Sequence, residues 1–112
     1  MDKDRLCDAG IDYTSAMKYF AGNEAMFEKY LIKFKDDKYM DLSREAFKSG
    51  DYNELLKNIH VMKGLVSTLG MNALFKACSD VVMSIRAKAY DDLGKKMAAV
   101  EHEYELVMKI FE

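Results

Sequence analysis

The chain has no proline and no tryptophan, only two cysteines, and no surplus of either charge, with 17 Lys and Arg against 19 Asp and Glu in 112 residues. Each absence excludes something. Without proline the commonest helix breaker is missing. A net charge of −2 denies the chain the basic footprint of a nucleic-acid binder and makes anionic lipid an equally poor partner. Apolar runs are short, as in Val81-Val82-Met83, far below the roughly 20 residues needed to cross a bilayer, so no membrane insertion is expected. The opening Met1-Asp2-Lys3-Asp4-Arg5 alternates charge and leads into no apolar segment, so no signal peptide is expected and the setting reads as cytoplasmic. Cys7 and Cys78 stand alone, without Cys-x-x-Cys spacing, and read as free thiols.

What remains is half apolar and rich in Ala, Leu, Met, Lys and Glu, with few β-branched residues, which predicts an all-α chain. At this length a single core needs no disulfide or metal to hold it. We read residues 1–112 as one domain, with 1–9 a loosely ordered lead-in. Glycines punctuate the apolar periodicity. Asp12 or Thr14 can cap a short helix carrying Met17 and Phe20 that stops at Gly22. Asn23 can cap a long helix from Glu24 to about Lys48, with Phe27, Tyr30, Leu31 and Phe34 on one face and Leu42, Ala46 and Phe47 further along. Asp51-Tyr52-Asn53-Glu54 has the spacing of a capping box and opens a third helix, whose stripe is Tyr52, Leu55, Ile59, Met62, Val66 and Leu69. A fourth carries Leu74, Ala77, Cys78, Val81, Ile85 and Ala89. The fifth carries Leu93, Met97, Val100, Tyr104, Val107 and Phe111. Long amphipathic helices joined by short connections predict an antiparallel four-helix bundle with a short additional N-terminal helix.

Residues that depart from this core-and-surface pattern gather on the third helix. At about 100° per residue, and with Ile59 as the core direction, His60 lies about 100° away, Ser67 about 80°, Gly64 about 140° and Lys63 about 40°. They share one flank, with His60 at its shoulder. A mid-helix glycine costs about 1 kcal/mol relative to alanine, so Gly64 asks for a reason. Close packing of a neighbouring helix is one. Access of another protein's surface to the adjacent imidazole is the other. Lys63 can bring a mobile positive charge beside the ring, or simply snorkel from the core edge. Ser67 can hydrogen-bond a group carried on the ring, or be an ordinary exposed serine.

His60-Val61-Met62-Lys63-Gly64 has the His-x-x-Lys-Gly form of the histidine-containing phosphotransfer domain, and the chain resembles that family well beyond these five residues. Ala9-Gly10-Ile11-Asp12, Tyr19-Phe20-Ala21-Gly22-Asn23 and the segment from Phe27 to Phe34 are similar to the family's opening helices. Gly50-Asp51-Tyr52 before the histidine and Leu69-Gly70 after it match its spacing, so the likeness runs over residues 9–112. Two positions depart: Leu65 stands where a small residue is usual, and Val82-Met83 where the following helix often carries an acid.

The resemblance implies that His60 takes a phosphoryl group from the phospho-aspartate of a response-regulator receiver domain, or of a hybrid histidine kinase, and passes it on. Lys63 would stabilise the phosphoryl charge, Gly64 would give the partner access, and Ser67 would be a further, weaker contact. A neutral imidazole is nucleophilic near pH 7 without an adjacent base. Phosphoryl transfer needs chiefly in-line positioning and charge stabilisation. The domain would therefore need no cofactor of its own, Mg²⁺ arriving with the partner's receiver. It would act as a monomeric phosphoryl carrier without kinase activity. The alternative is a non-catalytic helical adaptor of the same fold, binding a receiver or kinase without phosphotransfer. Elsewhere, His102 lacks a second histidine at metal-ligand spacing, Lys35-Asp36-Asp37-Lys38 reads as a solvated face, and Met26, Met62 and Met97 read as core filling.

Overall fold

Most helix starts have a local chemical cause. In the computed structural model, which describes residues 2–112, Asp12 Oδ1 accepts from Ser15 N at 3.0 Å, Asn23 Oδ1 from Met26 N at 3.0 Å, and Asp51 Oδ1 from Glu54 N at 3.1 Å. These bonds open α2 (Tyr13–Tyr19), α3 (Glu24–Lys35) and α5 (Tyr52–Thr68). The first helix, α1, spans Lys3–Asp8 and is capped by Asp2, while α4 (Tyr39–Ser49), α6 (Asn72–Arg86) and α7 (Leu93–Met108) complete the set before a 3₁₀ turn at Lys109–Phe111. Among the described residues there is no strand, only an isolated antiparallel bridge between Ile11 and Met71.

Helix α5 is the centre of the packing, in contact with both α4 and α6, and α7 packs against α6. Its face of Leu55, Ile59, Met62 and Val66 is fully buried. Against it lie Leu31 and Phe34 of α3, Met40 of α4, Leu74, Cys78, Val81 and Val82 of α6, and Met97 and Val100 of α7, all within one buried cluster. Arg44 of α4 reaches Glu101 of α7 through Nε at 2.6 Å and Nη2 at 2.8 Å, a bidentate pair that ties the two helices. The buried polar side chains are paired: Ser43 donates to Tyr39 O, Asn58 to Glu54 O, and Ser84 meets Lys96 Nζ. The Cα radius of gyration is 14.1 Å, close to the about 13 Å typical of a folded domain of some 100 residues.

Three expectations are corrected. Residues 1–9 are no loose lead-in over the described part: Leu6 of α1 is fully buried, and Arg5 donates from Nη2 to Lys109 O at 2.7 Å and from Nη1 to Glu112 O at 3.3 Å. The long helix from Glu24 to Lys48 is two helices. Asp37 Oδ1 accepts from Tyr39 N at 3.1 Å, which starts α4 afresh after α3 has closed at Asp36, so Lys35-Asp36-Asp37-Lys38 is a corner, not a uniformly solvated face. Asp37 is half-buried, its Oδ2 has no hydrogen-bond partner, and desolvation holds its carboxyl above the ordinary value. Third, several apolar-stripe positions face outward: Met26, Tyr30 and Leu42 are 45%, 44% and 43% exposed, and Ala89 lies beyond the end of α6. Met62 and Met97 are buried as expected.

The turn between α5 and α6 is fixed from outside. Asp12 N donates to Gly70 O at 2.7 Å, and a Cβ on Gly70 would stand 2.5 Å from Asp12 O. With φ at +72°, this position excludes other side chains on two counts. The hairpin of α5 and α6 is thereby set in register, and the residues facing each other across it follow from that register.

Candidate functional site

The buried face of α5 is centred between Ile59 and Met62, on the side of Ile59 away from His60. His60 is therefore more open than a core direction taken from Ile59 alone suggests, and it is exposed. It makes no hydrogen bond or ion pair within the described residues, so its ring is free to meet an external group. Lys63 is half-buried, one turn along the same flank, with about 5–6 Å expected between the two Cβ atoms. Ser67 is exposed a further turn on. Thr68 Oγ1 donates back to Gly64 O at 3.2 Å, an i to i−4 bond that leaves Ser67 as the uncommitted hydroxyl of the pair.

Gly64 separates the two readings offered for it. A Cβ built on this glycine meets nothing within 4 Å. No neighbouring helix leans on it, and its φ is ordinary, so neither packing nor backbone conformation within the chain requires glycine there. Close helix packing is thus discarded as its reason. What the missing side chain provides is open space on the solvent side of α5, directly beside His60.

Lys63 has a contact that the sequence analysis did not anticipate. Its Nζ lies 5.5 Å from the ring centroid of Phe75 on α6, within cation–π range. The signal was available: Lys63 and Phe75 are equally distant in sequence from Leu69, so an antiparallel helical hairpin turning there places them opposite each other. Beneath them is Cys78, fully buried, whose thiol is pushed up to about 12 by desolvation against a smaller opposing effect of the Lys63 charge. It is a neutral core residue. Cys7 is exposed, and both thiols are free.

On the other side of α5 lies a groove of about 900 Å³ between α3 and the α2–α3 turn, walled by Tyr19, Phe20, Met26 and Tyr30 and floored by Leu65 and Leu69. Leu65, the departure noted beside Gly64, points there and does not crowd His60. His102 is exposed on α7, and no cluster of three or more His, Cys, Asp or Glu suited to a metal ion occurs among the described residues. No helix among them is long and apolar enough to cross a membrane. No protein-family model, no curated protein and no solved structure matches the chain significantly.

Proposed function

We propose that the chain is a histidine phosphotransfer domain in which His60 carries a phosphoryl group between receiver-domain aspartates, in a cytoplasmic two-component phosphorelay. The observation that carries this reading is the empty space at Gly64 beside an exposed, unbonded His60, with the Lys63 ammonium one turn away. On this reading α4, α5, α6 and α7 make an antiparallel four-helix bundle, with α3 continuing α4 past the Asp37 corner and the two short N-terminal helices closing one end.

In the transfer, the lone pair of one imidazole nitrogen forms an N–P bond as the P–O bond to the donor aspartate breaks. The electron pair leaves on the aspartate carboxylate, and the other ring nitrogen keeps its proton. The partner's acidic pocket and its Mg²⁺ supply most of the charge stabilisation. This chain supplies the nucleophile, a mobile cation in Lys63, and a surface without a side chain where the partner's loops must approach. Ser67 is a further contact for the phosphoryl oxygens. Passing the group onward is the reverse step with a second receiver.

The test is incubation with a phosphorylated receiver domain. Acid-labile, base-stable label on the wild-type protein, absent from His60→Gln, is the expected result. Label that persists on His60→Gln overturns the assignment. Binding of the receiver with no label on either form would instead establish the non-catalytic adaptor.

A further inference from the structure

We infer that the ring of Phe75 is the resting seat of the Lys63 ammonium, so that Lys63 has two positions, one on α6 when His60 is bare and one at the phosphoryl group when it is loaded. This rests on the phosphotransfer reading and specifies how that site is regulated. Lys63 makes no ion pair or hydrogen bond among the described residues, and its one charge-directed contact is the Phe75 ring face at 5.5 Å. The two residues come from different helices, so the seat is set by the hairpin register that Gly70 and Asp12 fix. Side chains lean toward the N-terminus of their own helix, which carries Lys63 toward His60 and Phe75 toward the Gly70 turn. The seat therefore draws the ammonium away from the imidazole.

The energetics make this a reversible rest and not a lock. A cation over a phenyl ring at a half-exposed position is favoured by a factor of roughly two to five. A phosphoryl dianion on a ring one turn away attracts the same ammonium by direct charge and outcompetes a quadrupole. With His60 bare, the seat keeps the cation off the imidazole. With His60 loaded, the ammonium crosses. Because the contact is made only in the bare state, it lowers the equilibrium constant for loading His60 by that same two- to fivefold factor.

The experiment uses proton and nitrogen NMR of the whole chain with phosphoramidate as donor, whose P–N bond breaks with release of ammonia as the N–P bond to His60 forms. The expected result is an upfield ring-current shift of the Lys63 Cε protons in the bare protein, lost when His60 is loaded. Phe75→Leu should lack the shift from the outset and raise the equilibrium ratio of loaded to bare His60, with a phosphorylated receiver as donor, two- to fivefold. Phe75→Trp, which keeps a ring face and the fold, should retain the shift and hold loading at or below the wild-type level. An unshifted Lys63 in the bare protein, a shift that survives loading, or equal loading in the Leu and Trp variants overturns the inference while leaving the phosphotransfer reading intact. Failure of His60 to take phosphate from either donor overturns both.

Discussion

Replacing Gly64 with alanine separates stability from partner access at one atom. Glycine in the middle of a helix is about 1 kcal/mol less favourable than alanine, because it loses more backbone freedom on folding. The new methyl carbon would meet nothing within 4 Å, so no repulsion offsets the gain. Gly64→Ala should therefore raise the unfolding free energy by about 1 kcal/mol and the Tm by about 4 °C for a domain of this size. If a receiver closes on this spot, the same methyl is forced into a packed interface, where added volume costs about 1–3 kcal/mol. Transfer should then fall by roughly five- to 150-fold. Gly64→Gln should deepen the loss without unfolding the helix. Thermal and urea unfolding read the first effect, and transfer from a phosphorylated receiver reads the second. A lowered Tm would refute the open-space reading of Gly64. A raised Tm with unchanged transfer in both variants would refute its role in docking.

The remaining predictions bear on other parts of the chain. Lys63→Ala should slow transfer without changing the circular dichroism and with at most a few degrees' change in Tm, since the half-buried ammonium has only its contact with the Phe75 ring to lose; unaltered kinetics would remove it from the site. Leu6→Ala should cost about 2–5 kcal/mol in urea unfolding, as a fully buried leucine does, and a loss under 0.5 kcal/mol would mean α1 is not part of the cooperative fold. Asp37 has a raised carboxyl pKa, so the folded state binds its proton more readily than the unfolded state, and this group's contribution to stability declines as pH rises above the ordinary carboxylate value of 3.8. Asp37→Asn keeps the acceptor for Tyr39 N and should be the more stable protein at pH 7 by a fraction of a kcal/mol, its half-exposure screening the effect. The gap should close as pH falls toward 4. A gap that widens in acid reverses the sign and defeats the argument.

Helices α2, α3 and α5 were legible because the causes of their starts are local. Asp12, Asn23 and Asp51 bond to amides three residues on, and the stripe from Leu55 to Val66 buries the face that its spacing predicts. The flank of His60, Lys63, Gly64 and Ser67 was legible for the same reason, since one helix carries all four. What escaped depends on contacts distant in sequence or on a corner without glycine or proline. The six residues of α1 are too few to be helical alone, and they are held by Leu6 in the core and by Arg5 bonding carbonyls more than a hundred residues away. The corner at Asp37 arises because one carboxylate oxygen competes for Tyr39 N, while Phe34 and Met40 on either side are both drawn into the core. Met26 and Tyr30 keep helical spacing yet line an open groove and stay nearly half exposed, although Phe20 lies against Tyr30. Phe75 faces Lys63 only through the register of the hairpin, which no spacing within one helix shows.

The guanidinium of Arg5 resting on Lys109 O also defines how the chain can be rewired. Residues 5 and 109 lie within the reach of one side chain, so a linker of a few residues would join α1 to the 3₁₀ turn without moving either. The segment between α6 and α7 is exposed and takes Lys88 through a positive φ, which marks it as the place to open the chain instead. A permuted protein beginning at α7 would keep α5 and α6 as one uninterrupted hairpin, with His60, Lys63 and Phe75 in unchanged register. The site could then be carried as an insert within a loop of another protein, both of its connections leaving from one point of the surface.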